Sequence, residues 1–223
     1  MDEKSINRIL ALLALLSSLS VAGILVAGLQ AGISQEPFQA ARLAAENVTK
    51  LMTNPQGLRF NIGFDNAFIV FYTSFFVLFA NRMRTLVGPL IAGVALGFSL
   101  LGTLLDASEN HHILTMLYSA EHGLPISTEE SQHQMLASSV KFHVVYIASF
   151  LFAFGFVRLG ALGTFIALGI WFVFVPLGLI IYVTPLELAR PLVIARGIFF
   201  VLTFALSVPL FLGLARQSST AQA

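Results

Sequence analysis

The sequence predicts an all-α fold, a polytopic membrane helical bundle of about six transmembrane helices, on three observations. Only 10% of its 223 residues are charged and 57% are hydrophobic, whereas a soluble domain carries about 25% charged residues. The mean hydropathy is +0.87. Six apolar runs also approach or exceed the roughly 20 residues that span a bilayer at 1.5 Å per residue. The chain 1–223 therefore reads as a single integral membrane domain whose first partner is the lipid bilayer.

Composition also excludes. A net charge of +1 supplies no basic face for nucleic acid. The absence of cysteine removes disulfides, thiolate metal sites, Fe–S clusters and thiol nucleophiles. There is no nucleotide loop, no G-x-S-x-G, no H-E-x-x-H and no internal repeat.

The spans are expected at Leu10–Gly32, Ile62–Ala80, Leu86–Leu105, Met135–Val157, Gly160–Val183 and Pro191–Leu214. The first has Lys4 and Arg8 in front, like a signal peptide, but is about twice as long as an h-region and ends in no A-x-A site, so it reads as an anchor. Gly28 with Gly32, and Gly93 with Gly97, form G-x-x-x-G pairs, expected to serve helix packing within the chain rather than a homodimer face. In span five, Pro176 removes the hydrogen bond to the Phe172 carbonyl and should kink the helix, and Pro209 repeats the feature in span six.

Between spans one and two, Pro37 suits a first helical position. Phe38, Ala41, Ala45, Val48 and Met52 then recur at helical spacing, with Arg42, Glu46 and Lys50 on another face. This predicts a short amphipathic helix on the membrane surface or over the bundle mouth. Asn47-Val48-Thr49 is a glycosylation sequon, meaningful only in a eukaryotic lumen.

Residues 107–140 hold no Lys or Arg, so this segment is placed outside, with Arg82, Arg84, Arg158, Arg216 and the N-terminus in the cytoplasm of a bacterial inner membrane. Arg42, Lys50 and Arg59 in the first outer loop run against that bias. The outer segment reads as an extended helical hairpin between spans three and four. Gly123-Leu124-Pro125 marks its turn, and Ser127-Thr128-Glu129-Glu130 has the form of a capping box.

Antiparallel helices about that turn pair residues whose numbers sum to about 247. Lys141, the lysine within a span, then falls opposite Asp106; Glu109 and Asn110 fall near Ser138, and His112 near Met135. Asp106, Glu109, Asn110 and Thr103 share one helical stripe, and Lys141, Ser138 and Gln134 another. An unpaired charge in hydrocarbon is costly, so both stripes should face the interior. Asp65, on a face with Asn61 and Tyr72, and Arg196 reach the same depth, counted from Arg82 and Arg216. The candidate site is thus an intramembrane polar cluster of Asp65, Tyr72, Asp106, Glu109, Asn110, Lys141 and Arg196, with three acids balanced by two bases.

Phe64-Asp65-Asn66-Ala67-Phe68-Ile69 with Tyr72, then Asp106-x-x-Glu109-Asn110, then a lysine about thirty residues on, together resemble uncharacterised bacterial multi-span membrane proteins that carry a D-x-x-E-N motif followed by an intramembrane lysine. The resemblance covers the middle third of the chain and implies a shared polar site, without an activity.

Four histidines lie in the outer hairpin, and His112 and His133 are the metal candidates, but their spacing fits no zinc motif and no metal is expected. His143 lacks a second histidine at matching depth for haem, and no cofactor is expected. The reading the sequence favours is an accessory or structural membrane subunit whose ion pair sets helix register and whose outer hairpin docks a protein partner. Binding or transport of a small solute or proton through the same cluster stays open. A membrane enzyme working at the outer interface, with Asp106 or Glu109 as base, is least supported because no nucleophile is named.

Overall fold

The computed structural model describes residues 2–33, 35 and 44–220. The described chain is all-α and is a polytopic membrane protein: six helices are long and apolar enough to cross a bilayer. They are α1 (Glu3–Ala31), α3 (Pro55–Leu86), α4 (Pro89–Glu121), α5 (Thr128–Val157), a two-part span of α6 (Ala161–Gly169) and α7 (Val175–Val183), and α8 (Leu186–Thr220). The short α2 (Ala44–Leu51) precedes α3. Successive spans are neighbours, and α8 packs back on α1, so the six close into a ring.

Helix ends follow local chemistry. Asn54 caps α3 by accepting from the Gly57 N–H at 2.9 Å, while its amide donates to the Ala31 carbonyl at 3.1 Å and ties α1 to α3. Gly32, at φ 65°, ends α1 in the left-handed region that glycine enters without strain. Ser127 caps α5 by accepting from the Glu130 N–H at 3.0 Å. The reciprocal half of the expected capping box is absent, because the Glu130 carboxylate reaches His112 across the hairpin at 2.7 Å. At the opposite end, Arg82 holds Glu3 at 2.9 Å and Asn7 at 2.6 Å, joining the end of α3 to the start of α1.

Three expectations are corrected. Gly93 and Gly97 meet no atom within 4 Å of an added Cβ and are exposed, so this pair does not pack within the chain. The expected helix beginning at Pro37 lies in large part outside the described residues. In its described remainder Leu51 is fully buried against α3 and α4, whereas Met52, expected on the apolar face, is 44% exposed. Pro176 is accommodated by a π-helical turn, Ile170–Phe174, immediately before it. The wider turn relieves the clash a proline imposes on the carbonyl four residues back.

Toward the Arg82 end the ring interior is packed with phenylalanines around one small void of about 30 Å³. Phe75, Phe79, Phe152, Phe156 and Phe211 are each under 3% exposed. Their rings meet at 4.6 to 6.5 Å between centroids, from α3, α5 and α8. Toward the hairpin end the interior is not filled.

Candidate functional site

The helical hairpin of α4 and α5 places Lys141 between two acids. Its Nζ lies 2.7 Å from Asp106 Oδ1 and 2.7 Å from Glu109 Oε2. Asp106 and Glu109 are one turn apart on α4, so one ammonium on α5 reaches both. All three are at least nine-tenths buried. Tyr72 on α3 donates its hydroxyl to the other Asp106 oxygen at 3.3 Å. Glu109, which the register arithmetic set beside Ser138, is thus an equal partner of Lys141. Ser138 instead accepts from the Gln134 amide at 3.0 Å.

A second group sits one turn toward the hairpin end. Asn110 on α4 donates to Asp65 Oδ2 at 2.7 Å and to Asn66 Oδ1 at 3.0 Å, both on α3. Asp65 is 8% exposed, and among the described residues no Lys or Arg lies within 4.0 Å of it.

Arg196 on α8 is 6% exposed and is joined to neither group. Its guanidinium carbon lies 3.6 Å from the centroid of the Phe142 ring, and one Nη donates to the Tyr146 hydroxyl at 3.4 Å. Among the described residues no carboxylate comes within 4.0 Å of it. The expected balance of acids by Lys141 and Arg196 together is therefore not what forms; Lys141 alone meets Asp106 and Glu109. The reason is spatial, since a cavity of about 540 Å³ separates α8 from the acids of α3 and α4.

That cavity is walled by α1, α3, α4, α5 and α8, and Asp65, Tyr72, Asp106, Lys141 and Arg196 all line it. At the hairpin end its rim carries the exposed cations Lys50 and Arg190. Toward the middle of the bundle its floor is Phe68, Phe76, Phe200 and Phe204. Gly28 and Gly32 line the α1 wall. Tyr146 owes its position to Gly178 on α7, whose missing side chain leaves room for the tyrosine ring in direct contact.

Phe142, Tyr146 and Arg190 were not singled out from the sequence, and Asn66 was noted only beside Asp65, not as a partner of Asn110. Tyr146 carried a usable signal, since a tyrosine hydroxyl deep in an apolar span needs a polar partner. In the outer hairpin, His112 and His133 have ring centroids 6.2 Å apart. His112 is engaged by Glu130, and among the described residues no three histidine or carboxylate groups converge as metal ligands.

The chemistry open to this arrangement is recognition. The Asp106–Lys141 pair, a hydrogen-bonded carboxylate and a guanidinium without a carboxylate face one space large enough for an organic ligand. Compared with known proteins, the chain matches no family model, no curated protein and no solved structure.

Proposed function

We propose that this membrane protein binds a small ligand in the cavity between α1, α3, α4, α5 and α8. The observation that carries the reading is the cavity itself, about 540 Å³ with Asp65, Asp106, Lys141 and Arg196 on its walls. A purely architectural ion pair needs no such space. A register device is best served by packing the remaining interior, as the phenylalanines toward the Arg82 end do. The binding reading is therefore preferred to the accessory-subunit reading. The positive-inside bias of Arg82, Arg84 and Arg158, with a hairpin free of Lys and Arg over residues 107–140, supports a cytoplasmic N-terminus and a cavity mouth on the outer face. The D-x-x-E-N motif with its later lysine supports a bacterial inner membrane.

The test is native mass spectrometry of the protein released gently from its own membrane. The wild type should carry a discrete non-protein adduct, and Val193→Trp, which puts an indole into the cavity wall, should lose it. A wild type that carries only a protein partner would return the function to an accessory subunit, with the hairpin as the docking element.

A further inference from the structure

We infer that the ligand is an amphiphile with an anionic headgroup, a carboxylate or phosphate, bound with its head at Arg196 and its apolar tail on the aromatic floor. This inference rests on the cavity being a ligand site.

The argument begins with the one charge that has no way out. A buried carboxylate can shed its charge by taking a proton, but a guanidinium cannot give one up at any physiological pH. Arg196 is nine-tenths buried and lines the cavity, yet no carboxylate among the described residues lies within 4.0 Å. Stacking on Phe142 and one 3.4 Å hydrogen bond to Tyr146 occupy one face of the guanidinium plane and one N–H. The rest of a planar fork of five donors is open, and that fork matches carboxylate and phosphate oxygens. The acids nearby do not compete for the same role. Asp106 and Glu109 are held by Lys141, and Asp65 is held by Asn110.

The tail follows from the gradient along the cavity. From the rim inward the lining runs from Lys50 and Arg190, through Arg196 facing Asp65 and the Asp106–Lys141 pair, to a floor of Phe68, Phe76, Phe200 and Phe204 relieved only by the hydroxyls of Ser99 and Ser149. A free inorganic anion would leave that apolar floor unfilled. A neutral hydrocarbon would leave the guanidinium uncompensated in a medium where an isolated charge is costly. A single-chain amphiphile entering tail first satisfies both ends, and Arg190 and Lys50 at the rim add attraction for its head.

The experiment uses the full chain in nanodiscs of phosphatidylcholine, with radiolabelled hexadecyl phosphate as probe. Hexadecanol and inorganic phosphate are compared as tail without head and head without tail. Saturable binding of hexadecyl phosphate is expected. The wild type should bind each half-probe about tenfold or more weaker than hexadecyl phosphate, and Arg196→Gln should bind hexadecyl phosphate weaker by the same scale, that of losing hydrogen bonds to a charged group. Hexadecanol binding as well as the phosphate ester, inorganic phosphate binding as well as either, undiminished binding by Arg196→Gln, or no saturable binding would each overturn the inference. If Arg196→Gln does not fold, the contrast between hexadecyl phosphate and hexadecanol on the wild type decides alone. An adduct from the native membrane that survives Arg196→Gln but is lost in Val193→Trp would sink the anionic amphiphile and leave the cavity reading standing. An adduct that survives both would sink the two together.

Discussion

Lys141→Met removes the one cation from the ion triad. Asp106 and Glu109 each have an oxygen 2.7 Å from Nζ. Those oxygens are therefore at most about 5.4 Å apart, twice 2.7 Å, and two charges at that separation repel by ~3 kcal/mol at an effective dielectric of about 20. Loss of one member of a buried pair costs about 3–5 kcal/mol where it has been measured, because the remaining charge stays out of water. The two routes agree in scale. At about 2–4 °C per kcal/mol, the fall in Tm should be on the order of ten degrees. The assay is thermal unfolding in detergent followed by the fluorescence of Trp171, the one tryptophan in the chain. Asp106→Asn with Lys141→Met restores little, because Glu109 is left buried without its ammonium. The triple change adding Glu109→Gln should recover most of the loss. A Lys141→Met protein melting within about two degrees of wild type, less than 1 kcal/mol on that scale, would refute the triad as a stabilised unit.

Gly178→Ala should destabilise by about 1–3 kcal/mol, the usual cost of overpacking, because a methyl there meets the Tyr146 ring. It should also weaken any ligand bound at Arg196, read by the same probe binding. Asn54→Ala removes both the α3 cap and the link to Ala31 and should cost about 1–2 kcal/mol in Tm-derived stability. Ser127→Ala should cost about 1 kcal/mol. Its signature is faster amide hydrogen exchange confined to the first turn of α5, and exchange unchanged from wild type would remove the cap from the account.

The spans were legible because each is a run of apolar residues that no water-soluble arrangement could bury. The pairing of Asp106 with Lys141 was legible for a different reason. Two helices joined by a turn are a local object, and their register follows from the Gly123 turn by counting. Glu109 was misplaced by about one turn because a lysine side chain reaches along the helix as well as across. Arg196 lines the same cavity as Asp65 and Asp106 but was assigned to the acids. Its actual surroundings depend on how α8 packs on α1 and α7 on α5, which no local spacing encodes. The cavity was illegible altogether, since a void is a property of six helices together. Leu51 replaced Met52 in the α2 contact because α2 turns its face to α3 and α4, not to a flat membrane surface.

The π turn at Ile170–Phe174 has a consequence for how this span tolerates change in length. An α-helix advances about 100° per residue, so a wide turn acts as a built-in register shim for everything after it. Deleting one residue from 170–174 would let the turn close as ordinary α-helix, and because four residues at about 100° cover nearly the rotation that five cover in the wide turn, Gly178 would stay against the Tyr146 ring. Deleting one residue from 175–177, past the wide turn, would instead swing Gly178 by about 100°, bring a bulkier neighbour against the tyrosine and take from Arg196 the hydroxyl it donates to. The azimuth of one side chain in α8 is thus set by a count of residues in a different helix.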